Sequence, residues 1–203
     1  MINVYQYEGK NLEDLKEKAF TELNASEKEI YMRDSEEVGG FLKAKKIKLE
    51  VITKDEVVKF AKDTIVEIAK QMGISVNIEA KKREKFIQMN LFSENSSILI
   101  GKGGKTMDAL QTIINSAIYN NTGFRINVMI DVEDYKEKNN KYLEYNVKKI
   151  AREVRTTGVE AKLEPMNSYE RRIVHNAINE IKGVLTVSEG EEPNRYIVIK
   201  KEE

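Results

Sequence analysis

Two short constellations in this 203-residue chain combine residue types suited to holding an anion. The first is Ser96-Ser97-Ile98-Leu99-Ile100-Gly101-Lys102-Gly103-Gly104-Lys105-Thr106-Met107-Asp108-Ala109-Leu110-Gln111. A side chain at 101, 103 or 104 would keep a sugar-phosphate chain from the backbone and would resist positive φ. The amides of that stretch, the free N–H groups at the start of a following helix, and Lys102 all favour an anion there. The second constellation is Arg171 with His175, four residues apart and so on one helical face, with Ile178 and Lys182 continuing the line. Arginine offers a planar donor fork for phosphate and a surface for base stacking, and neutral histidine donates, accepts or stacks.

Each constellation also has a plain structural reading. A Gly-x-x-Gly stretch is often an ordinary turn between helices, and an isolated Arg-x-x-x-His is often an arginine paired with a carboxylate beside a satisfied histidine. Two better-known glycine loops are excluded. A Walker loop needs glycine where Leu99 stands, and a dinucleotide fingerprint needs glycine at Thr106.

The elements around the first constellation follow from periodicity. A short apolar run capped by Asn95, Ser96 or Ser97 ends at Gly101. A second helix starts after Gly104, carries Met107, Leu110, Ile114 and Ala117 on one face, and ends near Asn121. Before it the pattern predicts a helix over 55–72, with Val57, Ala61, Ile65, Ile68 and Met72 inward, and strands over 75–82 and 85–92. After it comes a strand over 124–132. The order αββ, glycine loop between two helices, then β resembles the type II KH domain, whose Ile-Gly-x-x-Gly loop clamps the backbone of about four nucleotides. The resemblance implies RNA binding through Ile100, Gly101, Lys102, Gly103, Gly104 and Lys105. Gly103 stands where the family carries a side chain. The 81–85 turn presents Lys81, Lys82, Arg83 and Lys85, which suit either a solvated turn or an RNA contact.

The second constellation lies in a similar frame. A long helix is predicted over 134–156, buried through Leu143, Val147, Ile150, Ala151 and Val154 and ended by Gly158. A strand over 159–164 follows, then a helix to about Lys182 that starts with a capping box of Asn167 and Glu170. The runs Glu164-Pro165-Met166-Asn167-Ser168-Tyr169-Glu170-Arg171-Arg172-Ile173-Val174-His175 and Ser188-Glu189-Gly190-Glu191-Glu192-Pro193-Asn194-Arg195-Tyr196-Ile197-Val198-Ile199 resemble the single-stranded nucleic acid domain named for its Arg-x-x-x-His motif. That implies contacts from Arg171, Arg172 and His175. Asn139 and Asn140 stand where that domain is expected to carry a basic residue.

Residues 1–52 read as a βαββ unit: a strand over 2–7, a helix capped by Asn11 with Leu12, Leu15, Ala19 and Leu23 on one face, and strands over 29–34 and 45–52. Between the last two, Gly39-Gly40-Phe41-Leu42 suits a bulge or turn with a packed aromatic, or an exposed partner contact. Only Thr53 and Lys54 join this unit to the next helix, so the pair is restrained. The whole reading is α+β with three small domains: 1–52, 53–132 and 133–203. In this order they resemble the bacterial Jag family, also called KhpB or EloR. The family resemblance implies single-stranded RNA as partner, or single-stranded DNA at the Arg-x-x-x-His face. It also implies control of cell elongation or division, and pairing with a small single-domain KH protein or a second copy.

Composition bounds these readings. The 34 basic and 34 acidic residues cancel, with 9 and 11 in residues 1–52, 11 and 9 in 53–132, and 14 and 14 in 133–203, so binding must come from local patches. Zero cysteines remove disulfides and thiolate metal sites, and one histidine, His175, argues against histidine metal centres. No cofactor is expected, and the lone histidine has no evident serine and aspartate partners for catalysis. No apolar run approaches a membrane span, so membrane insertion is not expected and a cytoplasmic protein is. A protein-interaction scaffold is the rival to RNA binding.

Overall fold

The computed structural model describes residues 1–37 and 46–202, so the Gly39-Gly40-Phe41-Leu42 tip lies outside the described residues. The chain is α+β; its described residues form three three-stranded sheets, and it divides into two compact units, Met1–Glu133 and Asp134–Glu203.

The first unit opens with β1 (Tyr5–Gly9), α1 (Leu12–Leu23), β2 (Ile30–Glu37) and β3 (Lys46–Thr53), the strands ordered β1-β3-β2 and antiparallel throughout. Asn11 accepts from the Glu13 amide at 3.0 Å and starts α1, whose Leu15 and Ala19 pack with Tyr7, Ile30, Leu49 and Val51. The first strand runs later than the alternation over 2–7 predicts, because pairing of Tyr5 with Val51 through Gly9 with Ile47 sets its bounds.

Thr53 ends β3 and also caps α2 (Lys54–Gln71), its hydroxyl accepting from the Glu56 amide at 3.2 Å. Then come β4 (Asn77–Lys82), β5 (Ile87–Phe92), α3 (Ser96–Ile100), α4 (Lys105–Thr122) and β6 (Val128–Val132), in the expected αββααβ order. β5 pairs antiparallel with β4 and parallel with β6. α2 buries Val57, Ala61, Ile65 and Ala69; Met72, expected inward, is its C-cap and is 41% exposed, because the buried stripe has drifted round the helix by the last turn.

Two cations that the sequence reading passed over brace this unit. Arg33 on β2 pairs with Glu50 on β3, donates to the Gly123 carbonyl at 2.9 Å and lies 4.7 Å over the Phe124 ring. That hydrogen-bonded pairing holds the Glu50 carboxyl below its usual range. Lys54, only 3% exposed, donates to the carbonyls of Arg83 and Glu84 at 2.9 and 3.1 Å and sits over the Tyr31 ring. A buried ammonium needs such partners, and here they tie the β4–β5 turn to the start of α2.

The second unit comprises α5 (Tyr135–Thr157), β7 (Ala161–Lys162), α6 (Ser168–Asn179), β8 (Val184–Glu189) and β9 (Tyr196–Lys201), ordered β7-β9-β8 and antiparallel. Its core joins Val147, Ala151 and Val154 of α5 to Val174, Ala177 and Ile178 of α6 and to Val184, Ile197 and Ile199 of the sheet. The predicted strand over 159–164 shrinks to two residues, Ala161 and Lys162, in register with β9, and Leu163 adds one amide bond to the Ile197 carbonyl at 2.9 Å. Helix α6 stops at Asn179, before Lys182, where the chain turns through Gly183 at φ +86.

Candidate nucleic-acid interface

Helix α3 ends at Gly101, a single 3-10 turn spans Lys102–Gly104, and α4 starts at Lys105. Gly101, Gly103 and Gly104 take φ of +71, +61 and +81. The first and second are glycine for different reasons. A Cβ on Gly101 would lie 2.1 Å from Thr106 Oγ1, whereas one on Gly103 would meet nothing within 4 Å. Gly101 therefore permits the fold of the loop, and Gly103 leaves its backbone bare toward solvent.

No side chain caps the N-terminus of α4, where Gly104 is the N-cap; the Gly104 and Lys105 amides bond back to the Gly101 and Lys102 carbonyls of the 3-10 turn, and the next amides of α4 have no side-chain cap. Lys102 and Lys105 are exposed beside it. Leu99 is buried in the core, Ile100 is half-buried, and Ile98 is 50% exposed, which puts an apolar surface next to the loop. Backbone donors, two exposed cations and an apolar edge together suit a phosphate with a base alongside.

Strand register places the 81–85 cations. Ile87 pairs with Val128 and Leu91 with Val132, while α4 runs back along β6, its Asn115 bonding Val128 and its Gln111 bonding the Ile130 amide. The glycine loop is thus beyond the Val132 end of the sheet and the β4–β5 turn beyond the Ile87 end. Five residues of strand separate the two by about 17 Å. Lys82 is also paired with Asp55 at 3.0 Å. Lys82 thus belongs to the structure of that end, and the turn as a whole lies away from the loop.

In the second unit Asn167 and Glu170 form the predicted capping box, with bonds of 3.0 and 3.1 Å, and present Arg171, Arg172 and His175 on α6. Arg171 is 8% exposed; it donates to the Met166 carbonyl at 2.8 Å and to Glu192 at 2.7 Å. His175 Nδ1 shares a 2.5 Å hydrogen bond with Thr186 on β8. Partial burial, and then the nearby Arg171 charge, lower the histidine pKa, so the neutral ring is favoured. The line from Arg171 through His175 does not continue outward, because Ile178 is fully buried and Lys182 lies past the helix end. Arg172 is exposed. Glu192 and Thr186 are the residues of this site that the sequence reading missed, since contacts across 21 and 11 positions have no periodic signal.

Among the described residues no cluster of three or more histidines, cysteines or carboxylates could hold a metal, and no helix is long and apolar enough to cross a membrane.

Two family models match the chain: the KhpA/KhpB KH domain over residues 54–130 and the domain named for its Arg-x-x-x-His motif over 142–201. The chain is similar to the "RNA-binding protein KhpB" of Clostridium symbiosum, at 40% identity over 64% of this chain and 59% of that protein. It is similar to the Lactiplantibacillus plantarum protein of the same name at 31% identity, over 68% of this chain and 42% of that one. With the Bacillus subtilis protein of that name it shares 27% identity over 94% of this chain and 95% of the relative. The match therefore spans less than two thirds of the first two relatives and nearly all of the third. A KH domain of the KhpA/KhpB type followed by the domain named for its Arg-x-x-x-His motif is the combination the two family models find in this chain, and with these relatives it places the chain in the KhpB family, also called Jag.

Proposed function

We propose that this chain is an RNA-binding regulatory protein that grips single-stranded RNA through the loop at 101–104, with Ile100, Lys102 and Lys105 beside it. Contacts from Arg171, Arg172 and His175 add to the grip. The observation that carries the reading is Gly103: its missing side chain relieves no clash, yet it bares the backbone next to an uncapped helix start and an exposed lysine. That is useful to an approaching phosphate, beyond the positive φ of +61 for which the turn itself favours glycine there. The relatives' name, RNA-binding protein KhpB, supports the same reading.

In this proposal residues 1–52, 53–132 and 133–203 are three functional segments of a cytoplasmic binding protein, not an enzyme. They act in post-transcriptional control linked to cell elongation or division, with a small KH-domain protein or a second copy as protein partner. The second reading is a protein-interaction scaffold, favoured by the pairing of Arg171 with Glu192 and by the zero net charge. Crosslinking in cells with sequencing of bound RNA separates the two. RNA recovered with the parent chain and lost with Lys102→Asp/Gly103→Asp supports the clamp, and recovery no greater than a control for the parent favours the scaffold.

A further inference from the structure

The α5 helix carries seven cations (Lys136, Lys138, Lys141, Lys148, Lys149, Arg152 and Arg155) against three carboxylates (Glu137, Glu144 and Glu153), a net of +4 in a chain whose net charge is zero. Their placement is not uniform. Lys141 is paired with Glu137, and Lys148 reaches Glu180 on the side toward α6. Lys138, Tyr142, Tyr145, Lys149 and Arg152 follow one another at spacings of four, three, four and three, and so form a single stripe. The buried residues of α5, Val147, Ala151 and Val154, lie on the opposite face.

All five stripe residues are exposed, Tyr142 at 67% and Tyr145 at 70%. Neither tyrosine hydroxyl nor any of the three cations has a partner among the described residues, and Glu153 sits at the flank of the stripe. Two large aromatic rings left in water on a helix that already has a full core contact on its other side do nothing for the unit's packing. Rings framed by unpaired cations match a flexible polyanion with flat, stackable faces. A folded acidic protein would supply the charge but gives the paired rings no reason to stand clear of the surface.

We infer that the outward stripe of α5 is a second single-stranded RNA surface, separate from Arg171 and His175, in which Tyr142 and Tyr145 stack on bases and Lys138, Lys149 and Arg152 hold phosphates. The stripe spans about 21 Å along the helix, enough for a short run of nucleotides. This inference rests on the reading of the chain as an RNA-binding protein. It relocates the basic contact of the second unit: where Asn139 and Asn140 leave the family's expected position uncharged and Arg171 is held by Glu192, the free cations are on the other face of the same helix.

The full chain with a fluorescent 20-nucleotide oligouridylate tests it, each variant's fold being verified by circular dichroism. Tyr142→Ala/Tyr145→Ala should weaken binding about tenfold with the salt dependence unchanged, and Tyr142→Phe/Tyr145→Phe should restore it, because stacking needs the ring and not the hydroxyl. Lys149→Ala/Arg152→Ala should lower the slope of log affinity against log salt by about 1.4, from roughly 0.7 per phosphate lost. If both Ala pairs bind as the parent does while Lys102→Asp/Gly103→Asp loses affinity, the stripe is overturned and the glycine-loop reading stands. If they bind as the parent but change its sedimentation, the stripe is a protein interface and the inference fails. A parent chain that binds no oligouridylate overturns both readings.

Discussion

At the scale of single residues the glycines of the loop make opposite predictions. Gly101→Ala drives a Cβ into Thr106 and requires a side chain at φ +71, so it should destabilise the first unit by about 2–4 kcal/mol in urea unfolding. Lys102→Asp/Gly103→Asp meets open space at φ +61, a region aspartate tolerates, so stability should fall by no more than about 1 kcal/mol. Two carboxylates would then face the phosphate, and filter binding should show RNA affinity abolished. Unchanged affinity in that folded variant would sink the clamp. His175, the one histidine, makes a pH prediction. Its native pKa is lowered, so between that value and about 6.5 the unfolded chain binds more protons, and stability falls as pH drops through this window. The urea midpoint should decrease from pH 7 to pH 5, and by less in His175→Gln; equal decreases would mean that carboxylates such as Glu50 account for all of it.

At the scale of elements, the start of α6 and the segment before β9 face each other through Arg171 and Glu192. The arginine is nearly buried and the glutamate largely exposed, so the bond is partly screened and its loss costs only about 1 kcal/mol. Glu192→Gln should nonetheless release the guanidinium's charge toward a ligand, and a long single-stranded RNA should bind severalfold tighter. Weaker binding would show that Glu192 holds Arg171 in its useful orientation. The β4–β5 turn teaches the same lesson from the other direction. Its four cations looked available in the sequence, but Lys54 holds its carbonyls, Asp55 holds Lys82, and the sheet sets it about 17 Å from the loop.

At the scale of the whole molecule, zero net charge means that association depends on a few placed cations. Lys102, Lys105 and Arg172 alone would give a salt slope of about 2 on a single strand, and the three cations of the α5 stripe would raise it to about 4. A measured slope above about 6 would reveal a basic surface of a different kind. Because one chain carries both units, sites on each raise the other's effective concentration, so a long RNA should bind about a hundredfold tighter than a tetranucleotide if both engage. Equal affinities for the two lengths would confine binding to one unit.

The sequence by itself determined what depends on neighbours along the chain. Helical period placed α2, α4 and α5, Asn11 and the Asn167–Glu170 box started their helices, and glycine at 101, 103 and 104 marked backbone of positive φ, because capping and φ preference act within a few residues. The two domain motifs were legible for the same reason: each is a short local run. What crosses between elements was decided only by the tertiary structure. Glu192 on Arg171, Thr186 on His175, Arg33 on Phe124 and Lys54 on the β4–β5 turn join residues 11 to 91 positions apart, and pairing at such distance leaves no pattern in one sequence. It was this that held Arg171, turned Ile178 into the core, and left the free tyrosines and lysines on the outward face of α5.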